Sequence, residues 1–452
     1  MAYEKFNYKD LDEFKKALEE LNIKLPISED LDILKIPIKL KDKTIPNSLA
    51  VQPMEGCDGT YEGKPDVLTY RRYERFSKGG AGLLWCEATA VVSEGRANPR
   101  QLYINDNNKE DFKKLHELII ASGKENFGKE YKPYTVLQLT HSGRYSRPKD
   151  KPAPIIGINN PYLDRGDDLY SITDEELDNL KKDYVKAAIL ARDAGFDAVD
   201  IKSCHRYLIS ELLSCFGREG KYGGSFENRT RFLIDIIDNI KLELKDTIDV
   251  TLRLNAFDAI PYPYGWGVDK ENFRIADLSE PIKLVKLLYE KGVKLIDISC
   301  GNPYYNPHIG RPYDIGSYVP PANQLKYVFD MLNIIRQIQA AVPDMVVVAT
   351  GFSWLREFGA NVAAGCIKEG WFKVAGFGRQ AFAYPSFAKD IFEKGQMERG
   401  KCCIACSKCS EIMRDGGKTG CVIRDSKTYM PIYEAGRLGK PTLQSTKTGE
   451  HI

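Results

Sequence analysis

Eight short apolar stretches, separated by helix-like sequence along 452 residues, limit the folds open to this chain. They are Leu49–Met54, Gly82–Val91, Tyr134–Thr140, Ala198–Lys202, Val250–Asn255, Leu295–Cys300, Met345–Gly351 and Phe372–Gly378. All are rich in Val, Ile and Leu and lack the in-out alternation of a half-exposed strand, so both faces are expected to be buried. Helices fill the gaps. Thr173 with Glu176 three residues on is a capping box for a helix reaching Ala194, and Gly195 ends it. Pro281–Lys291 closes at Gly292, and Ala322–Ala341 closes before Pro343. Eight alternating β/α units predict an α/β (β/α)₈ TIM barrel rather than an open sheet. The length suits one such barrel with extensions. No G-x-G-x-x-G follows any strand, which argues against a Rossmann nucleotide domain.

The expected organisation is an N-terminal extension (1–46), a barrel (47–398) and a Cys-rich C-terminal segment (399–452). The extension carries an amphipathic helix with Leu11, Phe14, Leu18 and Leu21 on one face. A net charge of +2 with 28% charged residues gives no reason to expect nucleic acid as a partner. No apolar run approaches about 18 residues, so no membrane span is expected. The N-terminus lacks an apolar signal-peptide region, and the expected location is cytoplasmic.

The chemistry is expected at the C-terminal ends of the strands, where such barrels keep it. The fourth stretch, Ala198-Val199-Asp200-Ile201, is followed at once by Lys202, His205 and Tyr207. A helix with Leu208, Ile209, Leu212 and Leu213 comes next, then a Gly-rich loop at Tyr222-Gly223-Gly224. Singly, these polar residues could be a surface Lys, a capping His and a core Tyr. Together at a strand end they can hold an oxygen anion and deliver a proton. Arg253 and Gln138 lie inside apolar strands and need partners, since a buried unpaired charge is costly. A core hydrogen-bond network or a bound heterocycle would supply them. Thr350-Gly351-Phe352 and Gly376-Phe377-Gly378-Arg379 follow the last two strands, where barrels bind phosphate.

Of eleven cysteines, five fall between 402 and 421. Cys403-x₂-Cys406-x₂-Cys409-x₁₁-Cys421, with Cys402 alongside, suits an iron–sulfur cluster held by four thiolates. A Cys₄ zinc site is the competing reading.

These motifs together resemble the Old Yellow Enzyme family of flavin-dependent ene-reductases. The closer likeness is to its iron–sulfur branch, with 2,4-dienoyl-CoA reductase and trimethylamine dehydrogenase. The resemblance runs from about Leu49 to Cys421. It rests on Pro53-Met54, Gln138-x₂-His141-Ser-Gly-Arg144, Ala194-Gly-Phe-Asp197, Tyr222-Gly-Gly-Ser-Phe-Glu-Asn-Arg229, Gly378-Arg379 and the cysteines.

The resemblance implies an FMN-binding barrel. Pro53, Met54, Glu55 and Ala88 would line the isoalloxazine, Gln138 and Arg253 would bond its pyrimidine edge, and Gly351, Gly378 and Arg379 would hold its phosphate. Tyr207 would be the proton donor, and Cys403, Cys406, Cys409 and Cys421 would ligate a [4Fe-4S] cluster. Lys202 and His205 stand where the family commonly has His with His or Asn, so they would bind the substrate carbonyl. Glu55 stands where Thr, Cys or His is common. Tyr304, Tyr305, His308 and Arg311 are expected to roof the site. The implied activity is reduction of the C=C bond of an α,β-unsaturated carbonyl compound, with NAD(P)H or a reduced electron-transfer protein as donor. The chain lacks the FAD/NAD(P)H domain of the long members, so a redox partner protein is an expected route for electrons. A homo-oligomer is compatible with this reading. The alternatives are an amine dehydrogenase of the trimethylamine dehydrogenase type and a non-catalytic flavin/iron–sulfur electron-transfer subunit.

Overall fold

The computed structural model describes residues 2–164 and 169–440. Its centre is a closed parallel barrel of eight strands in chain order. They are β1 (Leu49–Val51), β2 (Leu83–Ala90), β3 (Tyr134–Thr140), β4 (Ala198–Ile201), β5 (Asp249–Phe257), β6 (Leu295–Cys300), β7 (Val346–Ala349) and β8 (Val374–Phe377). Every residue of these strands is buried, because the barrel interior fills one face and the helices cover the other. All eight expected strands are present; several are shorter, since their polar ends leave the ladder to form the site. β2 and β6 each carry a register shift near the site end, at Cys86/Thr89 and Ser299/Cys300. Such irregularities re-aim side chains.

The helices follow the local signals. Thr173 and Glu176 form the expected reciprocal cap on helix Asp174–Asp193. The helix expected at Pro281–Lys291 spans Ser279–Glu290, and the next spans Gln324–Ala341, capped by Asn323. No helix among the described residues is long and apolar enough to cross a membrane.

Residues before the barrel pack into it. An antiparallel hairpin, Ile38–Leu40 with Lys43–Ile45, closes the end opposite the site. Leu40 and Ile45 are buried in one cluster with Leu83, Trp85, Val136 and Val348. Lys43 Nζ donates to Asp197 O at 2.8 Å and to Asp249 Oδ2 at 3.0 Å. Phe6 and Phe14 stack on Phe358 at 5.9 and 5.2 Å between centroids.

Asp314 ties three segments over the barrel's site end. Its carboxylate accepts from Phe6 N at 3.1 Å, Trp354 Nε1 at 2.7 Å and an Arg356 nitrogen at 2.8 Å. Its own backbone N–H donates to Ala405 O at 3.0 Å, in the cysteine segment. That segment is anchored again below, where Arg71 grips Asp425 through two bonds of 2.7 and 3.0 Å. Of the expected 399–452 unit, residues 441–452 lie outside the described residues.

Candidate active site

Lys202, His205 and Tyr207 reach the site because β4 ends at Ile201 and the chain turns sharply. His205 and Arg206 have φ of 61° and 62°, left-handed values that strain residues with a Cβ. The turn is held from behind. Arg206, fully buried, bonds Ser214 Oγ and pairs with Asp258 at 3.1 Å. Tyr207 then caps the short helix Leu208–Leu212.

The three side chains face one chamber of ≈ 190 Å³. Gln52, Pro53, Met54, Glu55, Gln138, Arg253, Gly351, Gly378 and Arg379 line the same chamber. So do Tyr304 and Arg311 from the loop after β6. Ala88, Tyr305 and His308 do not. Ala88 is buried in β2, with its carbonyl accepting from Gln101. Tyr305 points outward, and His308 pairs with the Tyr318 hydroxyl at 2.5 Å.

Within the chamber, Glu55 Oε1 accepts from the Tyr207 hydroxyl at 3.0 Å and lies 3.3 Å from Lys202 Nζ. Lys202 Nζ also sits 3.6 Å from the Tyr207 ring centroid. The Tyr304 hydroxyl is 3.1 Å from that of Tyr207, and its ring stacks on Tyr145 at 4.0 Å. Burial, then the Glu55 charge, pushes the Tyr207 phenol well above its ordinary value. Tyr207 is therefore protonated at neutral pH. His205 is held well below the usual imidazole range by burial, then by Arg253, Lys202 and Arg311. Its Nε2 is 3.1 Å from Ser299 Oγ.

Gln138 and Arg253 find carboxylate partners that were not singled out in the sequence. Gln138 Nε2 donates to Asp200 Oδ2 at 2.5 Å, and the same carboxylate takes Trp85 Nε1 at 2.8 Å. Arg253 pairs with Asp297 at 2.9 Å, and Gln52 Nε2 donates to Asp297 at 3.2 Å. Burial raises Asp200 to about 6 and Asp297 to about 7. A carboxylate within a short apolar strand, as in Val199-Asp200-Ile201 and Leu295-Ile296-Asp297-Ile298, was the available signal.

At the far end of the chamber stand two guanidinium groups, Arg311 and Arg379. Burial and the neighbouring Arg379 and Arg414 charges lower Arg311 to about 10. Arg311 bonds Ser410 Oγ, and Arg379 donates to Pro312 O at 2.6 Å. Arg311 Nε and Arg379 Nη1 are buried without a hydrogen-bond partner. Two like charges with orphaned N–H groups fit an anion. Gly351, at φ 109°, has no room for a Cβ against Met331 Cε, and a Cβ on Gly378 would come within 3.1 Å of Met54 Sδ. Both glycines bring bare backbone close to the chamber that holds Arg311 and Arg379. Gln52 Oε1, buried without a donor, adds an open acceptor.

Cys403, Cys406, Cys409 and Cys421 border a separate small cleft with Arg379, Phe382 and Arg424. Cys409, Arg379 and Phe382 border the first chamber too. Among the described residues, no three His, Cys, Asp or Glu side chains are grouped to hold a metal ion. A lone tetrahedral ion with bonds of about 2.3 Å needs its sulfurs about 3.8 Å apart. The four cysteines border one cavity. Cys402, in contrast, turns away and donates to Glu398 O.

The strand ends of this parallel barrel gather a neutral His, a protonated Tyr, and amide and guanidinium groups around one chamber. The chain belongs to the NADH:flavin oxidoreductase / NADH oxidase family, whose profile matches residues 34–299. It is a flavin-dependent oxidoreductase. It is 31% identical over 269 residues to an NADPH dehydrogenase of Bacillus cytotoxicus, covering 59% of this chain and 70% of that one. Its fold is similar to 2-naphthoyl-CoA reductase (TM-score 0.71, 20% identity), covering 91% of this chain and 58% of that one. It is also similar to morphinone reductase (TM-score 0.60, 20% identity), covering 81% of this chain and 92% of that one. The chain thus spans just over half of the longer neighbour and nearly all of the shorter.

Proposed function

We propose that this protein is an FMN-dependent ene-reductase for an α,β-unsaturated carbonyl compound. The observation that carries the reading is a buried, protonated phenol beside two donors at one chamber wall. Bound FMN would be held by Gln52, Gln138 and Arg253 at the heterocycle and by Gly351, Gly378, Arg379 and Arg311 at the phosphate. When bound, it supplies the hydride that adds to the substrate's β-carbon. Lys202 and His205 present N–H groups to the carbonyl oxygen as charge builds there; each well-placed donor contributes about 2.7–4 kcal/mol. His205, held neutral, donates through a single ring N–H. Tyr207 delivers its proton to the α-carbon as the general acid.

The Tyr304 ring at the chamber wall, stacked on Tyr145 behind it, favours a flat, conjugated acceptor, and a structural neighbour is named for an aryl thioester substrate. We include in the proposal a [4Fe-4S] cluster on Cys403, Cys406, Cys409 and Cys421. Its support is the cavity these four share and the border it has in common with the first chamber. A cluster there would supply one-electron transfer from a donor protein.

The test is Tyr207→Phe in anaerobic stopped flow. Flavin reoxidation by the best acceptor among 2-cyclohexenone, cinnamate and crotonyl-CoA should slow by roughly 10²–10⁴-fold. Reduction of the flavin by its donor should be unchanged. Equal reoxidation rates in the two proteins would remove Tyr207 from the reaction.

A further inference from the structure

Tyr207 has a reloading problem. Each turnover of the proposed reaction breaks its O–H bond and forms a C–H bond on the substrate. The phenolate left behind must gain a proton before the next turnover. Its side chain is only 3% exposed, and its hydroxyl contacts Glu55 and Tyr304.

Both neighbours also border a second cavity of ≈ 480 Å³. This cavity lies beyond the first and is walled by Tyr61, Arg100, Arg147, Asp150 and Arg414. Tyr61, Arg147, Asp150 and Arg414 are exposed, so the cavity meets solvent. Arg144 lines it too, but that charge is spent on Glu211 and Asp164. Among the described residues, Glu55 is thus the one carboxyl group that bonds the buried phenol and also faces the wet cavity, with its side chain 14% exposed.

Tyr304 is the rival route. A proton passed from one phenol to another moves the deficit without filling it. A carboxyl group exchanges protons with water at far lower pH than a phenol. Lys202, 3.3 Å from Glu55, keeps the carboxyl oriented at the junction.

We infer that Glu55 is the proton relay that reloads Tyr207 from the second cavity. The inference rests on Tyr207 being the proton donor. The step balances. A water-borne acid in the cavity gives a proton to the Glu55 carboxylate, and Glu55 gives one to the Tyr207 phenolate. The carboxylate and phenol are restored with no change of oxidation state.

The test uses the FMN-loaded full chain and Glu55→Gln, whose amide still accepts a hydrogen bond but carries no proton. The acceptor is the best of the three probes named above. The first turnover should fall less than steady-state turnover, which should drop at least about tenfold further. Added imidazolium or acetic acid should restore it, because a small acid in the cavity replaces the relay. Equal loss in the first and later turnovers, without rescue, would make Glu55 an orienting group and overturn the relay. Unchanged steady-state turnover would overturn it as well. Tyr207→Phe separates the two readings: if that variant reduces the alkene normally, the donor assignment has failed rather than the relay. A second readout needs no turnover. Alkaline difference spectra of cofactor-free protein, with Tyr207→Phe identifying the signal, should show the Tyr207 phenol ionising at lower pH in Glu55→Gln.

Discussion

The Lys202 ammonium lies 3.6 Å from the centre of the Tyr207 ring, with a Glu55 carboxylate oxygen 3.3 Å away. A cation over an aromatic face beside a carboxylate is how an aromatic cage attracts an alkylammonium, and here the chain's own side chain takes that place. The finding speaks against amine dehydrogenation and for an uncharged or anionic acceptor. The Glu55 carboxylate pairs with Lys202 and compensates its charge.

Lys202→Met should therefore empty the cage. Tetramethylammonium should perturb the flavin spectrum of the variant and leave the parent unchanged; the gain is about 0.5–2 kcal/mol of cation–π attraction. Alkene reduction should fall in the same variant. A parent enzyme that binds the cation as well as the variant would refute this account of the cage.

Arg379→Met should weaken FMN binding. Loss of a charged hydrogen bond to phosphate is worth about 1.5–3 kcal/mol, on the order of 10–100-fold in Kd. Fluorescence titration of the cofactor-free protein measures it. The Arg311 variant should show a loss of the same order, because each guanidinium has one protein partner and one buried nitrogen without a partner.

His205 titrates well below its ordinary range, so it is neutral across the working pH and becomes imidazolium only in acid. The His205→Asn variant should be slower, yet its pH profile should match the parent's between about pH 6 and 9, where an ordinary imidazole with a value of about 6.5 would titrate. A midpoint near neutrality that vanishes in His205→Asn would contradict this.

Anaerobic reconstitution should load about four irons per chain, as a cubane on four thiolates requires. Cys409→Ser should lose them. Cys402→Ser should keep them, because Cys402 faces Glu398 and not the shared cavity. One zinc and no iron in the anaerobic preparation would refute the cluster.

Beneath Glu55, Arg72 is buried between Asp58 and Glu87, and Glu87 accepts from Gly56 N at 2.7 Å. Burial raises Glu87 to about 7 even with Arg72 beside it. Arg72→Met would leave two buried carboxylates facing each other and should cost about 3–5 kcal/mol by urea unfolding. Glu87→Gln should cost much less, since Asp58 still meets the guanidinium.

The barrel was legible because its strands are buried on both faces, and continuous apolar runs separated by helix signals mark such strands directly. The cysteine spacing was legible for a similar reason, as the residues are close in the chain. The electrostatic partners were less so. Asp200 lies 62 positions from Gln138, and Asp297 lies 245 from Gln52. Barrel closure, and not local pattern, makes them neighbours. The extension before residue 47 read as an appendage, because its scattered Phe and Leu show no period that names their partners. In the structure those residues complete the core at one end and, through Asp314, fix the roof at the other.

The polar cluster after β4 shows the same division. Sequence alone put Lys202, His205 and Tyr207 at the end of one strand, since local periodicity reveals where a strand stops. Which of them is charged, neutral or protonated was decided only in three dimensions. Glu55, 147 positions before Lys202, sets both the Lys202 pairing and the Tyr207 phenol. Charge states answer to burial and to the nearest opposite charge, and both are properties of the packed barrel.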